Sequence, residues 1–167
     1  MNTLEYQREH KPLIEEAIPH LIAPERQQIA LDFVAWLREN NFKPRWASHN
    51  QWRAAGKKSK VIFLITIGGS KHKWSKLEEG DWQISELEGI ERKYLDEFAS
   101  CDEIKEFVWA NITPCNKCSA CGPRNRVYIG KQFCECCGFR IVNPNEKDIE
   151  ISKKILLSNR QYIHDNM

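Results

Sequence analysis

The sequence contains no uninterrupted apolar run approaching the ~20 residues a membrane-crossing helix needs, so no membrane partner is expected. The opening stretch MNTLEYQREHKPLIEE carries acids early and has no apolar centre, so it does not read as a secretory leader. The expected location is cytoplasmic. Motifs of common enzyme classes are missing too. There is no P-loop, no Gly-rich dinucleotide fingerprint, no G-x-S-x-G and no H-E-x-x-H. The five histidines, at 10, 20, 49, 72 and 164, are dispersed, with His49 and His72 in the same basic region. Asp81 and Glu86 are spaced too far apart along an extended segment to form a carboxylate pair. These absences argue against an enzyme, and no catalytic residue is assigned.

Acid is missing from one long stretch. Residues 43–77 carry nine Lys or Arg and no Asp or Glu, whereas residues 78–106 carry eleven acids and three bases. The formal net charge of +2 hides this segregation. At 167 residues, 41% hydrophobic and 29% charged, the chain is of a size and composition to bury a core without disulfides.

The hydrophobic pattern predicts an α+β protein with N-terminal helices and an antiparallel β-meander. A first helix is expected over 4–18, ended near Pro19. A second is expected over 25–40, with Pro24 in its first turn, Ile29, Phe33, Trp36 and Leu37 on one face and Asn40-Asn41 as the stop. Residues 44–54 read as one strand and 55–59 as a turn. The run Val61–Ile67 reads as a central strand, closed by Gly68-Gly69-Ser70, and 81–87 as a third, alternating strand. Helices follow at 90–99 and 101–111, the second with a Ser100/Glu103 capping box. A last helix over 145–163 is expected to start from Asn143 as N-cap. Ile149, Ile151, Ile155, Leu156 and Tyr162 are its candidate contacts, packing back on the rest. The organisation is thus an α+β domain at 1–111, a cysteine-rich module at 112–144 and a C-terminal helix at 145–167.

Seven cysteines need an explanation. Cys101 stands apart; Cys115, Cys118, Cys121, Cys134, Cys136 and Cys137 fall within 23 residues. An odd total in clustered two-residue gaps, with no leader, favours metal thiolates over a disulfide framework. Cys118-x2-Cys121-Gly and Cys134-x2-Cys137-Gly make two knuckles, each giving two sulfurs from one turn. Arg126 to Phe133 reads as a hairpin around Gly130-Lys131 between them. Cys118, Cys134 and Cys137 are the expected ligands of one structural Zn²⁺, with the fourth left open between Cys121 and Cys115. Four thiolates on one Zn²⁺ add −2, which reduces the +4 of residues 111–143 to about +2. The segment resembles the zinc-ribbon class of metal modules and departs from it in having surplus cysteines. Cys115-x2-Cys118-x2-Cys121 also matches the start of an iron–sulfur run, but residue 125, where its fourth cysteine belongs, is Asn. A thiol redox sensor built on Cys115 or Cys136 is a further alternative.

Residues 107–144 carry Phe107-Val-Trp-Ala-Asn111, the cysteine run, Ile129-Gly-Lys-Gln-Phe133 and Phe139-Arg-Ile-Val-Asn-Pro144. In these the chain resembles uncharacterised small bacterial proteins in which an α+β domain is followed by a cysteine cluster and a closing helix. The resemblance implies that architecture and brings no activity.

The acid-free stretch supplies the other candidate surface. Arg45, Trp46, Trp52, Arg53, Lys57, Lys58 and Lys60, with Trp74 nearby, combine cations that attract phosphate with indoles that stack on bases. The same tryptophans would serve equally as core, and the acidic stretch 78–106 could neutralise the cations within the molecule. The sequence therefore leads to a non-catalytic zinc-binding protein contacting nucleic acid. Its alternatives are a small-ligand or protein-interaction domain with structural zinc, and a thiol redox or metal-responsive protein.

Overall fold

The structure is a computed structural model that describes residues 3–55, 61–69, 77–85, 102–113, 125–128, 131–134 and 138–165. Three helices open the chain. Helix α1 (Leu4–His10) is capped by Thr3, whose hydroxyl accepts from the Tyr6 N–H at 3.2 Å. It stops at Lys11, which takes a left-handed conformation (φ 46°) just before Pro12. The expected single helix over 4–18 is therefore two. Pro12 disfavours helical geometry in the residue before it, and the chain restarts as α2 (Ile14–Leu21). Pro19 lies inside α2 instead of ending it. Helix α3 (Pro24–Glu39) has Pro24 in its first turn and ends at Asn40, with Asn41 left-handed (φ 59°), as the pattern predicts. Glu15 of α2 clamps α3 by receiving both the Nε and Nη2 donors of Arg38, a bidentate pair.

The strands β1 (Arg45–Ser48), β2 (Gln51–Ala55), β3 (Val61–Ile67) and β4 (Trp82–Ser85) form an antiparallel meander. The stretch read as one strand over 44–54 is a hairpin. His49-Asn50 makes the two-residue reversal, Asn50 takes φ 53°, and the register shifts between Trp46 and Ser48. Asparagine tolerates that left-handed conformation better than most residues.

Helix α4 (Asp102–Ala110) leads to the two-residue strand β5 (Ile112–Thr113). Strands β6 (Asn125–Tyr128) and β7 (Lys131–Cys134) form a separate hairpin, where one was expected. Strand β8 (Gly138–Val142), from the end of the cysteine-rich segment, joins the main sheet antiparallel to β4. The sheet order is β1-β2-β3-β4-β8, extended by the short β5.

Helix α5 (Glu146–Asp165) closes the chain. Its N-cap is Asn145, not Asn143. The Asn145 side chain accepts from the Asp148 N–H and Asp148 accepts from the Asn145 N–H, each at 3.0 Å. Asn143 is occupied elsewhere. It is left-handed (φ 47°) and exchanges both backbone and side-chain hydrogen bonds with Trp82.

One sheet face carries the core. Trp52, Ala54, Phe63, Ile65, Ile67, Trp82 and Ile84 alternate inward and meet Ile14, Ile18, Phe33, Leu37, Ile149 and Leu156 from α2, α3 and α5. Phe33 stands at the centre, with ring centroids 6.3–6.4 Å from Trp36, Phe63 and Trp82. Phe33 and Leu37 of the expected α3 face are buried, joined by Ala30 and Val34, while Ile29 and Trp36 pack at its margin; Ile149, Ile151, Ile155 and Leu156 are all buried. The helix expected at 90–99, residues 56–59 of the expected turn, Ser100 and the side chain of Tyr162 lie outside what the structure describes.

Candidate metal centre and basic edge

Two links of chain carry the clustered cysteines, and both are tied at described residues. The longer link, residues 114–124, contains Cys115, Cys118 and Cys121. It leaves from Thr113, which pairs with Gly138, and arrives at Asn125, which pairs with Cys134. The shorter link, residues 135–137, contains Cys136 and Cys137 and joins those same partners, Cys134 and Gly138. Four residue steps span at most about 14 Å, and paired Cα atoms lie about 4.5–5.5 Å apart. Both links therefore run between the same two paired positions, Thr113/Gly138 and Asn125/Cys134. Cys134 ends β7; Cys115, Cys118, Cys121, Cys136 and Cys137 lie outside the described residues, as does Cys101. Among the described residues no group of three or more His, Cys, Asp or Glu could hold a metal.

The basic stretch divides. Arg45 and Arg53 are exposed and stand directly opposite each other across β1 and β2. Lys43, two residues before Arg45, is exposed as well, while Phe42 and Pro44 between and beside them are buried. Lys43 was not singled out in the sequence; its signal was the alternation with those two apolar neighbours. None of these three cations makes an ion pair among the described residues. Lys57, Lys58, Lys60 and Trp74 lie outside the described residues.

Of the candidate tryptophans, Trp52 offers no stacking face. Trp52 is wholly buried in the core, with its indole N–H donating to the Pro12 carbonyl at 2.9 Å. Its expected role against a nucleic-acid base is corrected on that ground, since no ring face is available. Trp46 is half-buried, packs against the same core and donates its indole N–H to Gln7 at 3.2 Å.

Two polar networks brace this framework. Near β1 and β2, Gln7 is fully buried and donates to the Asn50 side chain at 2.6 Å. Its carbonyl oxygen accepts from the Asn50 backbone N–H at 2.8 Å, and Asn50 in turn donates to the Gly68 carbonyl at 2.8 Å. Gly68 sits so close to the Glu78 carbonyl that a Cβ would overlap it. The second network centres on Asp81, which accepts from Arg26 at 2.6 Å, Asn143 at 2.8 Å and the Glu78 N–H at 3.1 Å. Burial works to raise the Asp81 carboxyl, but these hydrogen bonds and the Arg26 charge outweigh it and hold it below the ordinary range. Burial likewise works to raise the Glu15 carboxyl, and the hydrogen bonds, chiefly from Arg38, and the Arg38 charge outweigh it and hold it below the ordinary range. Both networks are structural: they seat the β1–β2 turn and the β8–α5 junction.

No helix among the described residues is long and apolar enough to cross a membrane. Comparison with protein families, with curated proteins and with solved structures finds no match.

Proposed function

We propose that this chain is a non-catalytic zinc-binding protein whose basic β1–β2 edge contacts nucleic acid. One structural Zn²⁺ would be held by Cys118, Cys134 and Cys137, with Cys121 or Cys115 as fourth ligand, in a zinc-ribbon-like arrangement. The observation that carries the metal reading is that both cysteine-bearing links start and finish at the paired positions Thr113/Gly138 and Asn125/Cys134. Tetrahedral zinc takes two sulfurs from each of two short chain segments held close together, and the paired ends of the two links support that reading. Bound there, zinc would supply folding energy to links too short to build a core.

The nucleic-acid part is supported by the exposed cations of β1 and β2, which make no ion pair among the described residues. It differs from the sequence expectation in relying on charge, because Trp52 is core.

Elemental analysis of protein purified under reducing conditions tests the metal. Zinc at about one equivalent, lost on Cys134→Ser, is the expected result. Zinc well below one equivalent in the unsubstituted protein would refute the reading, and full retention in Cys134→Ser would refute the ligand set.

A further inference from the structure

We infer that Lys43, Arg45 and Arg53 form one phosphate-binding cluster that grips a nucleic-acid backbone without reading its bases. This rests on the nucleic-acid part of the proposed function and names its contacts. Arg45 and Arg53 are register partners across β1 and β2, so their Cα atoms lie about 4.5–5.5 Å apart. Like charges directly opposite each other in a sheet are destabilising. No acid lies between residues 40 and 77, and neither arginine makes an ion pair among the described residues. Several cations elsewhere are paired with acids, Arg26 with Asp81, Arg38 with Glu15, Lys147 with Glu103 and Lys153 with Glu150.

Protection of a sheet edge accounts for only part of this charge. Strand β1 is the edge, and a cation there discourages pairing with another molecule. Strand β2 is an inner strand, bonded on both sides, so Arg53 protects no edge. A repulsive pair kept on an inner position is explained by an anion that bridges it. Two guanidiniums and one ammonium suit successive phosphates of one strand, the guanidiniums by bidentate contact. With Trp52 buried and the Trp46 indole N–H committed to Gln7, Trp52 offers no stacking and Trp46 no free donor, so discrimination between bases is not expected.

The test is fluorescence anisotropy with a labelled oligonucleotide of ~20 nucleotides, single-stranded and duplex, across ~50–200 mM salt. The full chain is compared with Arg45→Gln/Arg53→Gln, with Lys43→Gln and with Lys154→Gln, an exposed cation of α5 used as control. The slope of log affinity against log salt should shrink by roughly one for each cluster cation removed, with affinity falling about tenfold or more in the double variant. Lys154→Gln should leave both unchanged. Scrambling the sequence should change affinity little. Binding by the unsubstituted protein with undiminished slopes in the cluster variants would overturn this inference and leave the nucleic-acid reading standing. No binding to either oligonucleotide at low salt would overturn both. Lys43 precedes β1, so Lys43→Gln keeps the test decisive even if the strand variants fold poorly.

Discussion

The main sheet and the β6–β7 hairpin differ in the partners the described residues give them. The sheet has five antiparallel strands plus the short β5, with α2, α3 and α5 packed on one face. Its central strand reads Val-Ile-Phe-Leu-Ile-Thr-Ile, and its inward side chains are almost entirely removed from water. The hairpin has two four-residue strands, Asn-Arg-Val-Tyr and Lys-Gln-Phe-Cys, bonded to each other and to no third strand among the described residues. A two-stranded ribbon of that length is marginal in water by itself. The strands β1 to β4 contain no cysteine, whereas six cysteines fall within the 23 residues that hold the hairpin. The chain divides its stabilisation between a core and, on the proposed reading, a metal.

If that division holds, damage to the core should unfold the whole chain whether or not metal is present. The largest effect is expected at Trp52. Truncation to Ala should cost about 3–5 kcal/mol and lower the melting midpoint equally with and without a chelator. Next comes Gly68→Ala, whose Cβ would overlap the Glu78 carbonyl and force the β3 exit away from the Asp81 turn. A loss of about 1–3 kcal/mol is expected by analogy with other overpacked sites, read from urea unfolding. Gln7→Ala removes the partner of the buried Asn50 amide and of the Trp46 indole, and should cost a similar ~1–3 kcal/mol for stranded polar groups.

A pair of conservative changes sharpens the account of the core. The Trp52 indole N–H is bonded to the Pro12 carbonyl, whereas the buried Trp82 indole N–H has no partner among the described residues. Trp52→Phe should therefore cost about 1 kcal/mol more than Trp82→Phe. The smallest effect is on pH. Asp81 and Glu15 both have lower pKa values folded than unfolded, so the stability they contribute is present above the ordinary carboxylate range and is lost as pH falls below about 4. Asp81→Asn should make the acid side of the stability profile shallower. An unchanged profile would mean Arg26 and Asn143 hold the neutral side chain equally well.

Where burial repeats locally, the sequence shows the structure. Pro24, Phe33, Leu37 and Asn40-Asn41 mark α3, and the β-branched run marks β3. The β1–β2 reversal was hidden because it uses His49-Asn50, without the glycine or proline that usually announces a turn. Two asparagines in Asn143-Pro144-Asn145 could each cap α5; which one does is decided by Trp82 and Asp81, some sixty residues earlier in the chain. The place of β8 was hidden for the same reason. Gly-Phe-Arg-Ile-Val continues the cysteine run in sequence, and only its pairing with β4 shows that it belongs to the sheet. Of the candidate site, the spacing of the cysteines and the charge of Arg45 and Arg53 were legible. The burial of Trp52 was not, because a tryptophan in an alternating strand suits a core and a binding face alike.

Amide hydrogen exchange with and without a zinc chelator tests the division most directly. On removal of metal, the amides of β6 and β7 should lose protection by orders of magnitude while Trp52, Phe63 and Ile65 of β2 and β3 keep theirs. Unchanged protection across β6 and β7 in protein shown to be free of metal would contradict it.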